Sequence, residues 1–125
     1  MKIQQSAEDY FETIFVLKSR IGMVRSIDIV NELGYSKPTV SIAMKKFKEN
    51  GYITMDEHGY IELTDKGLSI AKDTYEKHNI IAKILMGLGV SKKTAYEDAC
   101  RIEHHISDES FLCMKKHYDT FENKK

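Results

Sequence analysis

The chain has 125 residues, and its nineteen Lys+Arg balance nineteen Asp+Glu, so any contact with nucleic acid must come from local rather than global charge. With 42% hydrophobic and 30% charged residues it has the composition of an ordinary globular chain and not of a disordered one. No apolar run approaches the roughly 18 residues that a membrane helix needs, and Met1-Lys2-Ile3-Gln4-Gln5 lacks the layout of a signal peptide, so the expectation is a cytoplasmic protein without a membrane partner.

A single proline, seven glycines and apolar residues at helical spacing predict a mainly α fold. The first helix is expected from about Ser6 to Arg20, with Tyr10, Phe11, Ile14, Phe15 and Leu17 on a broad apolar face and Gly22 as its stop. Ser26 reads as the N-cap of a short second helix ending at Gly34, with Ile27, Val30 and Leu33 turned inward. Ser36 caps a third helix whose first turn carries Pro38, where the missing N–H does no harm. This helix runs to about Asn50, with Val40, Met44 and Phe47 as the buried stripe.

The period then changes to that of strands. Gly51–Met55 and Tyr60–Thr64 read as a hairpin around the turn Asp56-Glu57-His58-Gly59. Thr64 caps a long helix from Asp65 to about Met86, closed by Gly87 and Gly89; Ser91 starts another, running to about His105. Ser107 or Asp108 opens a last helix in which Phe111, Leu112, Cys113, Tyr118 and Phe121 are available for packing. The expected boundary lies inside the long helix, near Ala71 to Thr74. It separates a winged helix-turn-helix DNA-binding domain, 1–72, from an all-helical domain, 73–125.

A short helix, a tight turn and a second helix form the helix-turn-helix, whose second helix enters the major groove N-terminus first. Between Ser36 and Lys48 stand Lys37, Lys45, Lys46 and Lys48 and no acid, an asymmetry that suits phosphate. Ser36, Lys37, Pro38, Thr39, Ser41, Lys45 and Lys46 are therefore the candidate DNA contacts, with Arg25 as a phosphate contact and His58 at the tip of the wing. A solvated basic face is the alternative for the lysines alone. The helix-turn-helix-hairpin order favours DNA.

A second informative stretch is Glu97-Asp98-Ala99-Cys100-Arg101-Ile102-Glu103-His104-His105. On a helix, Cys100, Glu103 and His104 stand at i, i+3 and i+4, so thiolate, carboxylate and imidazole share a face. These are three kinds of metal ligand. Asp9 and Glu12 form an i, i+3 pair on the first helix, and His78 sits on the long helix. Taken singly, each donor reads more readily as a small buried hydrophobe, a surface acid or an ordinary histidine than as a ligand; their presence on three separate helices gives the set its weight. The two cysteines, Cys100 and Cys113, are too few for a disulfide framework.

On these residues the sequence resembles the metal-dependent repressors that include the diphtheria toxin repressor and the manganese transport regulator. The resemblance covers nearly the whole chain and rests on Glu8-Asp9-Tyr10-Phe11-Glu12, Ser36-Lys37-Pro38-Thr39-Val40-Ser41, Leu63-Thr64-Asp65-Lys66-Gly67, Lys77-His78, and Ala99-Cys100-Arg101-Ile102-Glu103-His104 followed by Ser107-Asp108-Glu109. It implies a homodimer joined through the C-terminal helices that binds palindromic double-stranded operator DNA when loaded with divalent metal. An SH3-like third domain of the longer iron-responsive members has no counterpart, which gives the expectation of the shorter, manganese-type branch.

The resemblance also divides the ligands. Asp9 and Glu12 fall where manganese-type members carry carboxylates. Cys100 falls where iron-type members carry cysteine and manganese-type members a glutamate; Glu103, His104 and His78 are shared. Ala82 and Tyr96 occupy places where the ancillary site of iron-type members needs a carboxylate and a second histidine, so a second metal would use Glu12 and His78 instead. Oxygen donors favour Mn(II) and the thiolate pulls toward Fe(II), Co(II) or Zn(II); the expected cofactor is Mn(II) or Fe(II). The competing readings are a winged-helix regulator that answers a non-metal signal, with Cys100 as a redox sensor or a core residue, a helical interaction module, and an enzyme. Against the enzyme stand the lack of a Gly-rich phosphate loop and of a His-Glu-x-x-His pair.

Overall fold

The computed structural model describes residues 5–123, with side chains described over 7–120. Phe121, expected to pack, lies outside these side chains, as do Met1 to Gln5. The chain divides into two compact units, Met1–Lys72 and Asp73–Lys125.

The N-terminal unit contains α1 (Gln5–Ile21), α2 (Ser26–Leu33), α3 (Lys37–Glu49), β1 (Ile53–Met55), β2 (Ile61–Leu63) and the beginning of α4 (Asp65–Gly87). Helix α1 supplies Tyr10, Phe11, Ile14 and Leu17 to the core, each at most 5% exposed. They meet Val40, Met44 and Phe47 of α3 and Tyr52, Ile53 and Ile61 of the hairpin in one cluster. Phe11 is the hub, with ring centroids 4.7 Å from Phe47 and 5.2 Å from Tyr52. Aromatic pairs at such spacing stabilise beyond the area they bury. Burial pushes the Tyr10 phenol above its ordinary value, and the neighbouring Tyr35 adds to the shift.

Helix α2 differs from expectation at its start. Its N-cap is Arg25, whose backbone N–H donates to the Asp28 carboxylate at 2.9 Å, and Ser26 is already the first helical residue. The buried residue is Ile29, while Ile27 is 41% exposed. Two positions along a helix turn a side chain by about 200°, so burying Ile29 beside Val30 and Leu33 sends Ile27 outward. Gly34 closes the helix in the left-handed region, φ 74°, where a side chain would be strained.

Ser36 caps α3 as expected: its Oγ accepts from Thr39 N at 3.3 Å and lies 2.8 Å from Thr39 Oγ1. Ser36→Ala is expected to lower stability by about 1 kcal/mol, the usual value of a lost N-cap. Urea unfolding checks this, and an unchanged midpoint would mean that the cap contributes nothing.

The wing is a two-stranded antiparallel hairpin with Ile53 opposite Leu63, Thr54 opposite Glu62 and Met55 opposite Ile61. Asp56 shapes its turn by accepting from both His58 N and Tyr60 N at 2.9 Å. A bridge from Ile61 N to Val24 O, 2.7 Å, joins the wing to the segment before α2, and an ion pair between Lys18 and Glu62 joins it to α1. Thr64 holds the start of α4, accepting from Gly67 N at 3.3 Å and donating to Gly51 O at 2.7 Å.

The C-terminal unit contains the rest of α4, α5 (Lys92–Ile102) and α6 (Asp108–Asn123) around Ile81, Ala82, Ala95, Ala99 and Phe111. Lys77 of α4 pairs with Asp108 at 3.4 Å and Lys115 of α6 with Glu76 at 2.6 Å. Ser107 caps α6 through its Oγ, which accepts from Ser110 N at 3.1 Å. Phe111 is buried and Tyr118 half-buried, but Leu112 and Cys113, expected to pack, are exposed, Leu112 to 61%. One side of α6 is therefore uncovered in a single chain. No helix of the described residues is long and apolar enough to cross a membrane.

Candidate metal centre and nucleic-acid interface

Helix α5 stops at Ile102, three residues before the expected end at His105, so Glu103 and His104 lie in the turn that follows it. No glycine or proline marks this stop. The chain tightens there, with both His105 N and Ile106 N donating to Ile102 O at 3.0 Å. Glu103 nevertheless keeps right-handed helical angles, φ −58° and ψ −28°, and still donates its N–H to Ala99 O. The helical path thus reaches far enough for Cys100, Glu103 and His104 to converge. One ligand atom from each lies within 4.8 Å of the others.

The electrostatics of this cluster suit a cation. The Glu103 side chain is fully buried and that of His104 is 1% exposed, and their Oε1 and Nε2 atoms are 3.3 Å apart. The other carboxylate oxygen lies 3.1 Å from Nδ1 of His78 on α4, whose ring packs against Tyr96 at 5.3 Å between centroids. A buried carboxylate among imidazoles needs positive charge nearby to offset its lost hydration. Thiolate, carboxylate and imidazole together make a transition-metal donor set, so the residues fit a divalent metal ion. Ala82 is fully buried in the apolar core of the unit. Asp9 and Glu12 belong to the N-terminal unit, half-buried and three residues apart on α1.

On the N-terminal unit, Ser36, Lys37, Pro38, Thr39, Ser41, Lys45, Lys46 and Lys48 are all exposed along α3, opposite the buried stripe of Val40, Met44 and Phe47. Arg25 is exposed at the base of the wing. Its guanidinium stacks over the Tyr60 ring at 4.3 Å and donates to the Tyr60 hydroxyl at 2.9 Å. Tyr60, overlooked in the sequence, thus orients Arg25. His58 stands at the wing tip, its ring 67% exposed and 3.5 Å from the Glu57 carboxylate. The other residue overlooked in the sequence is Ile42, 70% exposed on α3. Its position, two residues from Val40 and two from Met44, is the signal that could have found it.

Comparison with known proteins follows the same division. Residues 2–67 match the model of the iron dependent repressor N-terminal DNA binding domain, and residues 64–124 that of the iron dependent repressor metal binding and dimerisation domain. The transcriptional regulator MntR of Salmonella typhimurium is 35% identical over 116 residues, 90% of this chain and 74% of that protein. An uncharacterized HTH-type transcriptional regulator of Methanocaldococcus jannaschii is 33% identical over 124 residues, 98% of this chain and 99% of that one. Among solved structures, the manganese regulator SloR superposes with a TM-score of 0.78 at 28% identity, over 95% of this chain and 55% of its own. The chain thus spans about half the length of that solved relative. Matched in both its DNA-binding and its metal-binding parts by models of one family, the chain belongs to the iron-dependent repressors, which are metal-dependent, DNA-binding transcriptional regulators.

Proposed function

We propose that the chain is a Mn(II)- or Fe(II)-responsive repressor of metal-uptake genes, acting in the cytoplasm as a homodimer on a palindromic operator, and that it is a binding protein without catalytic activity. The observation that carries this reading is the convergence of Cys100, Glu103 and His104 within 4.8 Å in the unit that matches a metal-binding domain. The run of four lysines and no acid from Ser36 to Lys48 supports the DNA side. The uncovered Leu112 and the 37%-exposed Ile102 support association of two C-terminal units.

Cys100, Glu103 and His104 are the proposed primary ligands, with His78 beside Glu103 as a further donor. The resemblance adds Asp9 and Glu12 as oxygen ligands. A bound divalent ion supplies the positive charge that gathered carboxylates and thiolate require. Without a cation the gathered acids and thiolate would repel one another, and a divalent ion held by the ligand set would remove that repulsion and favour the state of the dimer that presents α3 to DNA. Two recognition helices held in this way meet successive major grooves about 34 Å apart. The DNA contacts are Ser36, Lys37, Pro38, Thr39, Ser41, Lys45 and Lys46 on α3, with Arg25 on phosphate and His58 on backbone or minor groove.

The two cysteines provide the test of the metal site. Cys113 is exposed on α6 and Cys100 is half-buried in the cluster. Adding Mn(II) or Zn(II) to chelator-stripped protein is expected to slow modification of Cys100 by a thiol reagent at least tenfold and to leave Cys113 unaffected. Equal reactivity of Cys100 with and without metal would remove it from the ligand set and favour a regulator that senses something else.

A further inference from the structure

Helix α3 carries an isoleucine where neither packing nor solubility calls for one. Ile42 is 70% exposed, one of the most exposed large apolar residues among those described. It lies about 200° around the helix from Val40 and the same angle from Met44, both fully buried, so its side chain points directly away from the core. The β-branched side chain also makes it a poorer helix former than the lysines around it. Pro38 precedes it by four residues, and Lys45 and Lys46 follow at three and four, which puts all of them on one outward surface.

The side chains able to read base edges by hydrogen bonding are few on this helix. From Lys37 to Lys48 there is no Arg, Asn, Gln, Asp or Glu, the residues whose forked or paired atoms recognise guanine, adenine or cytosine. The Ser36 and Thr39 hydroxyls are engaged with each other at 2.8 Å. The lysines are point charges suited to phosphate. A protein partner that covered Ile42 would face four lysines along the same helix, with one acid, Glu49, at its far end, whereas a DNA groove presents phosphates on both sides of an apolar spot. That spot is the 5-methyl group of thymine.

On the reading that α3 binds DNA, we propose that Ile42 is a specificity-determining residue that recognises a thymine methyl in the major groove of each half-site. The full-length, Mn(II)-loaded chain would be used to select duplexes from a random-sequence library, and the selected duplex would be resynthesised with uracil replacing thymine at one position at a time. Uracil removes the methyl and keeps every base pair. One thymine in each half-site should show about a fourfold loss of affinity, the equivalent of one buried methyl group. Ile42→Ala should bind the thymine and uracil duplexes equally at that position while keeping the wild-type salt slope, because its phosphate contacts are untouched. Wild-type affinity indifferent to uracil at every position, or the same discrimination in Ile42→Ala, would overturn the assignment while leaving DNA binding in place. Failure of the Mn(II)-loaded wild type to select any duplex would overturn it together with the DNA-binding reading.

Discussion

Glu103→Gln is expected to abolish metal-stimulated DNA binding, a loss of roughly a hundredfold in affinity at saturating metal, with the fold and the dimer preserved. The magnitude follows from linkage. Metal at about 100-fold above its dissociation constant supplies about 2.7 kcal/mol to the state that binds it, provided the competing state binds none. The substitution keeps the volume of a fully buried side chain and removes its charge. Glutamine at this position still fits between His78 and His104, 3.1 and 3.3 Å from the carboxylate oxygens, but offers a neutral amide in place of an anionic ligand. His104→Ala should have the same effect on metal stimulation. Fluorescence anisotropy with a duplex, with sedimentation to follow the dimer, measures both properties. Undiminished stimulation in either variant would remove that residue from the ligand set.

Gly67→Ala is expected to cost about 1–3 kcal/mol, the usual range for overpacking, or to prevent folding of the N-terminal unit. A Cβ at this position would stand 2.2 Å from the carbonyl oxygen of Tyr52 and 3.1 Å from a Leu63 methyl. The first neighbour is backbone and cannot swing aside; it also accepts from Thr64 N at 3.0 Å, so moving it breaks the junction of wing and α4. Gly87→Ala is the matched control. It lies at the end of the same helix with nothing within 4 Å of its added Cβ, and should be neutral or stabilising by up to about 1 kcal/mol. Equal effects of the two substitutions in thermal unfolding would show that backbone propensity, and not the approach of Tyr52, keeps glycine at 67.

Much of this molecule was legible in its sequence because its local signals agree. The alternation of helical and strand periods marks the three helices, the hairpin and the three helices that follow, and Ser36, Pro38 and Thr64 mark helix starts that the structure retains. Where signals competed, the detail was lost. Ser26 is the stronger capping residue by type, but Arg25 takes the cap position because Asp28 reaches back to its N–H, and Ile29 in place of Ile27 joins Val30 and Leu33 on the packed face. The end of α5 was overrun because Glu103-His104-His105 contains no residue that stops a helix. The exposure of Leu112 and Cys113 depends on which face of α6 the core selects, and α6 is apolar on more than one side. The donor types were readable from the sequence, while the convergence of His78 with Glu103 required the fold.

The most direct test of the central claim is a titration of the purified, chelator-stripped chain with Mn(II), anaerobic Fe(II) and Zn(II), following metal stoichiometry and duplex binding in the same samples. The account predicts that DNA affinity rises about a hundredfold as metal loads, in step with occupancy, and that the ranking of metals at matched free concentration reflects the balance between Cys100 and the oxygen donors. Tight DNA binding at the same affinity in the stripped and loaded protein would contradict it and leave a winged-helix regulator that does not depend on metal.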